Sequence, residues 1–105
     1  MAKSQHIGSA NNFGPALRAA RKWRGLAQEE FDVVSGRTYV SAIERGLKDP
    51  TLSKIDQLAQ VLTLHPLTLL SLAYASPLND GAVPIEQLLT RVKTELVSLV
   101  QGRQT

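Results

Sequence analysis

Apolar residues recur along this chain at spacings of three and four, and no four-residue run alternates cleanly enough, with β-branched or aromatic residues, to predict a strand. The expected fold class is therefore all-α. A first helix is predicted from about Phe13 to Arg24, with Asn11 or Asn12 as N-cap, Pro15 in its first turn and Gly25 ending it in the left-handed conformation. Phe13, Leu17 and Ala20 share its inner face. A second short helix from about Gln28 to Val34 buries Phe31 and Val34, and Ser35-Gly36 then turns the chain into a third helix over roughly Arg37 to Arg45. There Val40 and Ile43 face inward, and Gly46 closes the helix. Thr51 caps a fourth helix whose Leu52, Ile55, Leu58, Ala59 and Leu62 form the most regular amphipathic stripe in the chain. Pro66 opens a fifth segment, Leu67 to Ala75, with leucine on more than one side, as in a buried helix.

Residues 76–83 begin a cluster of turn formers, Ser-Pro-Leu-Asn-Asp-Gly-Ala-Val-Pro, that reads as a linker. A separate helix over about 84–101 follows, with Pro84 at its first position, Glu86 in the first turn and Gly102 after the last periodic residues. Its apolar positions Ile85, Leu89, Val92, Leu96 and Leu99 are spaced four, three, four and three, and Leu88 and Val100 widen the stripe. Little more than two heptads of such a seam hold together only when packed on something, either the same domain or a second copy. The linker ahead of it favours the second copy.

Composition narrows the class. A chain of 105 residues and 11.4 kDa has room for one domain, and 43% hydrophobic with 20% charged residues is globular rather than disordered composition. The absence of cysteine excludes disulfides, thiolate metal sites and cysteine nucleophiles. The first fifteen residues lack the apolar core of a signal peptide, and no run approaches the roughly 18 apolar residues of a membrane span, so a soluble cytoplasmic protein with no membrane partner is expected. The net charge of +3 matters less than its distribution. Met1 to Leu26 carries five basic residues and no acidic one, whereas Ala27 to Ser53 carries three basic and five acidic. Such a basic stretch is either a solvated helix face or a nucleic-acid surface.

Two short helices joined by a tight turn, with small polar residues opening the second, form the arrangement that places a recognition helix in the major groove. Leu17-Arg18-x-x-Arg21, Gly25-Leu26-Ala27-Gln28-Glu29-Glu30-Phe31, Tyr39-Val40-Ser41-Ala42-Ile43-Glu44-Arg45-Gly46 and Pro50-Thr51 occur in order and resemble the Cro/repressor-type helix-turn-helix family, also called the XRE family. The resemblance covers about Phe13 to Ala75. It implies a five-helix DNA-binding domain over residues 13–75 in a transcriptional regulator, followed here by one additional C-terminal helix. It also implies a dimer on a palindromic site in double-stranded DNA, and for a DNA regulator a homo-oligomer, either a two-fold dimer or a tetramer of two such dimers, is expected. No cofactor is expected.

By that resemblance, Gln28 corresponds to a glutamine that anchors a DNA phosphate, and the positions matching the family's base-reading ones are Arg37, Thr38 and Ala42, with Ser41 beside them. An arginine can bond guanine O6 and N7 in bidentate fashion, and the methyl groups of Thr38 and Ala42 suit thymine. Arg37 can equally bind only phosphate, and Ser41 can bind phosphate or pack against the second helix. Arg45, Lys48 and Thr51 read as phosphate ligands. Arg21 and Glu44 match an arginine and a glutamate that pair across the first and third helices, a structural role. The seam residues Ile85, Leu88, Leu89, Val92, Leu96 and Leu99 are the expected oligomerisation contacts.

The chain departs from the family pattern in two places. About two residues fewer separate Gln28 from Gly46, so either the second helix loses its last half-turn or the third begins later. Ala27 stands where a serine or threonine N-cap is usual, at a cost of about 1 kcal/mol to the second helix.

Other chemistries find little purchase. His6 lies in a polar tail and His65 precedes Pro66 as a helix-cap or surface residue, so no catalytic grouping or metal set assembles and the chain is not expected to be an enzyme. Trp23 reads as packing, or as a cover for the C-terminal helix or a partner. Residues 1–12 read as a flexible arm that is either inert or touches the DNA backbone through Lys3. The alternative to a DNA regulator is a protein-binding module, an antitoxin or adaptor, whose C-terminal helix grips a different protein.

Overall fold

The computed structural model describes residues 12–75 and 84–102; the expected arm, apart from Asn12, and the 76–83 linker lie outside the described residues. Five α-helices and one 3-10 helix make up the described chain, and no strand occurs among the described residues. In order they are α1 (Phe13–Trp23), the 3-10 helix (Gln28–Phe31), α2 (Arg37–Glu44), α3 (Leu52–Leu62), α4 (Pro66–Ala75) and α5 (Ile85–Gly102).

Phe13, Ala16, Leu17 and Ala20 form the buried face of α1. They pack into one core with Phe31, Val40 and Ile43, with the α3 stripe of Ile55, Leu58, Ala59 and Leu62, and with Leu69 and Ala73 of α4. The approach of α1 to α2 is close: a Cβ on Gly14 would lie 2.4 Å from the Ile43 carbonyl oxygen and 2.9 Å from that of Glu44. Glycine at this position therefore sets how near α1 lies to the end of α2.

Three helices end in the same double hydrogen bond. After α1, Gly25 N–H donates to Lys22 and Leu26 N–H to Arg21; after α2, Gly46 donates to Ile43 and Leu47 to Ala42. Both glycines sit at positive φ, as this helix end demands. After α3 the corresponding residue is Thr63 at φ 54, a conformation that a β-branched side chain rarely adopts. Arg24 braces this turn from the end of α1, donating from Nε to the Leu62 carbonyl at 2.7 Å and from Nη2 to that of Thr63 at 3.1 Å.

Several local expectations are corrected. The segment predicted as a helix over Gln28–Val34 is a single 3-10 turn that ends at Phe31, and Val34 is only half-buried. No side chain caps its start at Ala27, and Val34 N–H and Ser35 N–H both fold back onto the Phe31 carbonyl. The shortened spacing is thus absorbed by the second helix, and α2 starts at Arg37. Asn12 occupies the N-cap of α1 in the left-handed conformation with no side-chain capping bond. Leu52, at the first position of α3, is exposed rather than part of the inner stripe. On α4, Leu69, Ala73 and Ala75 are buried, but Leu67 and Tyr74 are exposed, so the segment is buried on one side only. Pro84 precedes α5 instead of opening it, its carbonyl accepting the first helical bond from Leu88 N–H.

α5 has no buried residue. Ile85, Leu89, Val92, Leu96, Val97, Leu99 and Val100 are 41–67% exposed, and Leu88 is half-buried. The first turns of α5 lean toward α4 and share a groove with it.

Candidate nucleic-acid interface

At about 100° per residue, Arg37, Ser41, Arg45 and Thr38 fall within one arc of about 100° on α2, with Ile43 on the opposite side, Val40 about 60° outside the arc and Glu44 just beyond its Arg37 edge. The structure follows this arithmetic. Arg37, Thr38 and Arg45 are exposed and Ser41 is half-buried, while Val40 and Ile43 are fully buried. Ala42 lies about 40° beyond Thr38 and is 8% exposed, which leaves its methyl group little surface for the expected base contact.

Arg37 does not extend freely into solvent. Its Nη1 lies 3.2 Å from Oε2 of Glu29 on the 3-10 helix, an exposed ion pair that spans the shortened turn. The turn is held from the other side by Lys54, whose ammonium donates to the Val34 carbonyl at 2.6 Å and lies 5.4 Å from the centre of the Tyr39 ring. Neither Glu29 nor Lys54 was a sequence candidate. Lys54 carries no local signal, because its partner lies twenty residues earlier in the chain.

Beneath α2 lies a compact polar cluster. Arg21 donates from Nε to Glu44 Oε2 at 2.6 Å, from Nη2 to Oε1 at 3.0 Å, and from Nη1 to the Leu26 carbonyl at 2.9 Å. The two side chains are only 11% and 4% exposed. Hydrogen bonding to Glu44 raises the pKa of Arg21 above its ordinary value, against the opposing effect of burial. Gln28 Nε2 also donates to Glu44 Oε1 at 3.0 Å, so the 3-10 helix, α1 and α2 meet at one carboxylate. A glutamine amide has two N–H donors, and this bond occupies one of them.

Arg45 and Lys48 border a cleft of about 400 Å³ whose other wall is the N-terminal end of α1, Asn12 to Pro15. The positive end of a helix dipole and two cations thus share one depression with Glu44, which is committed to Arg21, and with Asp49. Thr51 Oγ1 accepts from Lys54 N–H at 3.1 Å as the cap of α3, which leaves its hydroxyl hydrogen free to donate outward. Of the basic residues on α1 and at its C-cap, Arg21 and Arg24 are bonded to other parts of the fold, and Arg18 and Lys22 are exposed. The basic stretch is therefore in part structural. His65 accepts from Leu67 N–H through Nδ1 at 3.0 Å and caps α4. No group of three or more potential metal ligands occurs among the described residues, and no single described helix is long and apolar enough to cross a membrane.

A helix-turn-helix family model matches residues 17–69, from the inner face of α1 to the middle of α4. Over 60 residues the chain is 36% identical to an uncharacterized HTH-type transcriptional regulator, y4dJ, of Sinorhizobium fredii, a span that covers 55% of this chain and 78% of that protein. No solved structure is significantly similar. With its five-part helical body, its short turn ahead of α2 and the Arg21–Glu44 pair beneath it, the chain belongs to the XRE-type helix-turn-helix family of DNA-binding transcriptional regulators.

Proposed function

We propose that this protein regulates transcription by binding specific double-stranded DNA as a homo-oligomer, with α2 in the major groove and a two-fold symmetric operator as its target. The observation that carries this reading is the outward arc of α2, where Arg37, Thr38 and Ser41 stand beside Arg45. Arg37 is the candidate for guanine, with Thr38 beside it for a thymine methyl group. Ser41 is half-buried and suits a base edge or a phosphate at the rim.

Phosphate contacts would position the helix without reading sequence. Gln28 has one N–H left after its bond to Glu44, Thr51 has its hydroxyl hydrogen, and Arg45 and Lys48 are exposed cations. Glu44 therefore aims Gln28 as well as holding Arg21. The ion pair from Glu29 holds Arg37 near the start of α2, and Arg37 must exchange that carboxylate for DNA on binding. α5 is the proposed oligomerisation element, since its seam residues Ile85, Leu88, Leu89, Val92, Leu96 and Leu99 lie on a helix without a buried residue.

Selection of duplexes from a random pool by the full-length protein at near-physiological salt tests this reading. Enrichment of a two-fold site with half-sites about one helical turn, roughly 34 Å, apart is the expected outcome. Arg37→Ala should then relax preference at one base pair per half-site, a loss of about 1–3 kcal/mol of discrimination. Lys48→Ala should weaken binding to every sequence and reduce the salt dependence. Salt-sensitive bulk binding without enrichment would refute the proposal and favour a protein-binding role for α5.

A further inference from the structure

Between α1, α4 and the start of α5 runs a groove of about 760 Å³. Ala19 and Trp23 form one wall, Leu67 and Leu72 the floor, and Ile85 and Leu89 the other wall. No Asp, Glu, Lys or Arg lines it, so it suits neither an anion nor nucleic acid. Trp23 is 70% exposed at its rim and is steadied by the Arg24 guanidinium, 4.5 Å from the ring centre. The exposed leucine of α4 that contradicted a wholly buried segment, Leu67, faces the same space.

Beyond Leu89 the apolar stripe of α5 continues through Val92, Leu96 and Leu99, none of which is buried by the described residues. We propose that this groove seats a second copy of the chain: the C-terminal half of the second copy's α5 lies antiparallel along the first and fits its Leu96 and Leu99 against Trp23, Leu67 and Ile85. The proposal rests on α5 being the oligomerisation element and adds the body of the domain to that interface. A two-fold axis repeats the contact, so each groove is filled by the other copy's helix. Covering these exposed side chains on both copies removes on the order of 1,500 Å² from water, the size of a standard specific interface.

Charge selects the direction. Arg91 and Glu95 pair within their own helix at 3.0 Å, while Glu86 and Lys93 form no ion pair among the described residues. When Leu89 of one copy faces Val92 of the other in antiparallel register, Glu86 flanks the other copy's Lys93, and the symmetry supplies this pair twice. In a parallel pair the flanking positions bring Lys93 beside Leu88 and Glu95 beside Val100, with no ion pair. An antiparallel pair centred on Thr94 would oppose Lys93 with Lys93. Only the register that joins Glu86 to Lys93 also carries Leu96 and Leu99 toward Ile85 and the groove.

Trp23 is the only tryptophan in the chain, so its emission reports on the groove directly. Light-scattering mass and tryptophan emission should be followed together across a dilution series of the full-length protein. The expected result is a mass of twice 11.4 kDa at high concentration and a blue shift of Trp23 that tracks the same association midpoint. Leu96→Asp should hold the mass at one copy and the emission at its exposed value, with circular dichroism checking that the body is folded. Lys93→Glu, a surface change that spares the fold, should weaken association roughly tenfold, and adding Glu86→Lys should restore it. A dimer in which Trp23 emission never changes would overturn the groove as the seat while leaving α5 pairing and DNA binding standing. A dimer indifferent to Lys93→Glu would overturn the antiparallel register. A single-copy mass at every concentration would overturn the proposal together with the oligomerisation role of α5 and leave the groove to another occupant; duplex selection would still judge DNA recognition separately.

Discussion

α3 and α5 are both amphipathic helices with an apolar stripe at helical spacing, yet their stripes have opposite fates. On α3, Ile55, Leu58, Ala59 and Leu62 are all buried against α1, α4 and Phe31. On α5 every seam residue except the half-buried Leu88 is exposed, although the spacing is at least as regular. Periodicity therefore reports that a face needs a partner and says nothing about which chain supplies it. The hydrophobic effect scales with area removed from water, whichever molecule does the covering.

The largest expected break lies in the body. Glu44→Ala leaves Arg21 as an uncompensated, mostly buried cation and removes the partner of Gln28, so chemical denaturation should show a loss of about 3–5 kcal/mol. Loss of DNA binding in that variant would accordingly say nothing about contact with DNA. The comparison is sharpest with one substitution made on each helix. Leu58→Ala should cost about 2–5 kcal/mol by opening a cavity in a closed core. Leu96→Ala, measured at a concentration below association, should change unfolding of the body by no more than about 0.5 kcal/mol. An equal cost at the two sites would mean that α5 is packed on its own body.

Smaller effects probe how α1 and α3 are set in place. Gly14→Ala drives a methyl group into the backbone carbonyls of Ile43 and Glu44, and thermal unfolding should reveal a loss of about 1–3 kcal/mol from overpacking. Because α2 is the element displaced, the same variant should also bind operator less well than its stability predicts. Thr51→Ala removes the cap of α3 and should cost about 1 kcal/mol. If Thr51 also donates to a phosphate, operator affinity should fall further than that loss of stability accounts for.

Much of the body was legible because its signals are local. Gly25 and Gly46 end α1 and α2 where a positive φ is needed, Thr51 caps α3, and the inner faces of α1 and α3 follow from spacing alone. What could not be read depends on partners distant in sequence. The two missing residues announced a change at the turn, but its form, a 3-10 turn tied by Glu29 to Arg37 and by Lys54 to Val34, needed the elements to be placed in space. Ala42 matched a base-reading position of the family, and only the packing of α2 left it little exposed surface. The basic run on α1 and its C-cap looked uniform, and the fold divided it into Arg21 and Arg24, which brace neighbouring elements, and Arg18 and Lys22, which remain at the surface.

By itself, then, the sequence determined that the chain is helical, where α1, α2 and α3 stop, which faces of α1 and α5 are apolar, and that Arg21, Gln28 and Glu44 stand at positions matching a helix-turn-helix. These follow from short-range constraints: backbone conformation, capping and the 3.6-residue period. Tertiary structure alone decided which charges are consumed inside the fold, which residues of α2 face outward, and that α5 leaves its seam and the groove beside Trp23 uncovered. Those outcomes depend on long-range packing, because burial and electrostatic pairing are properties of surfaces brought together and no local pattern specifies the other surface.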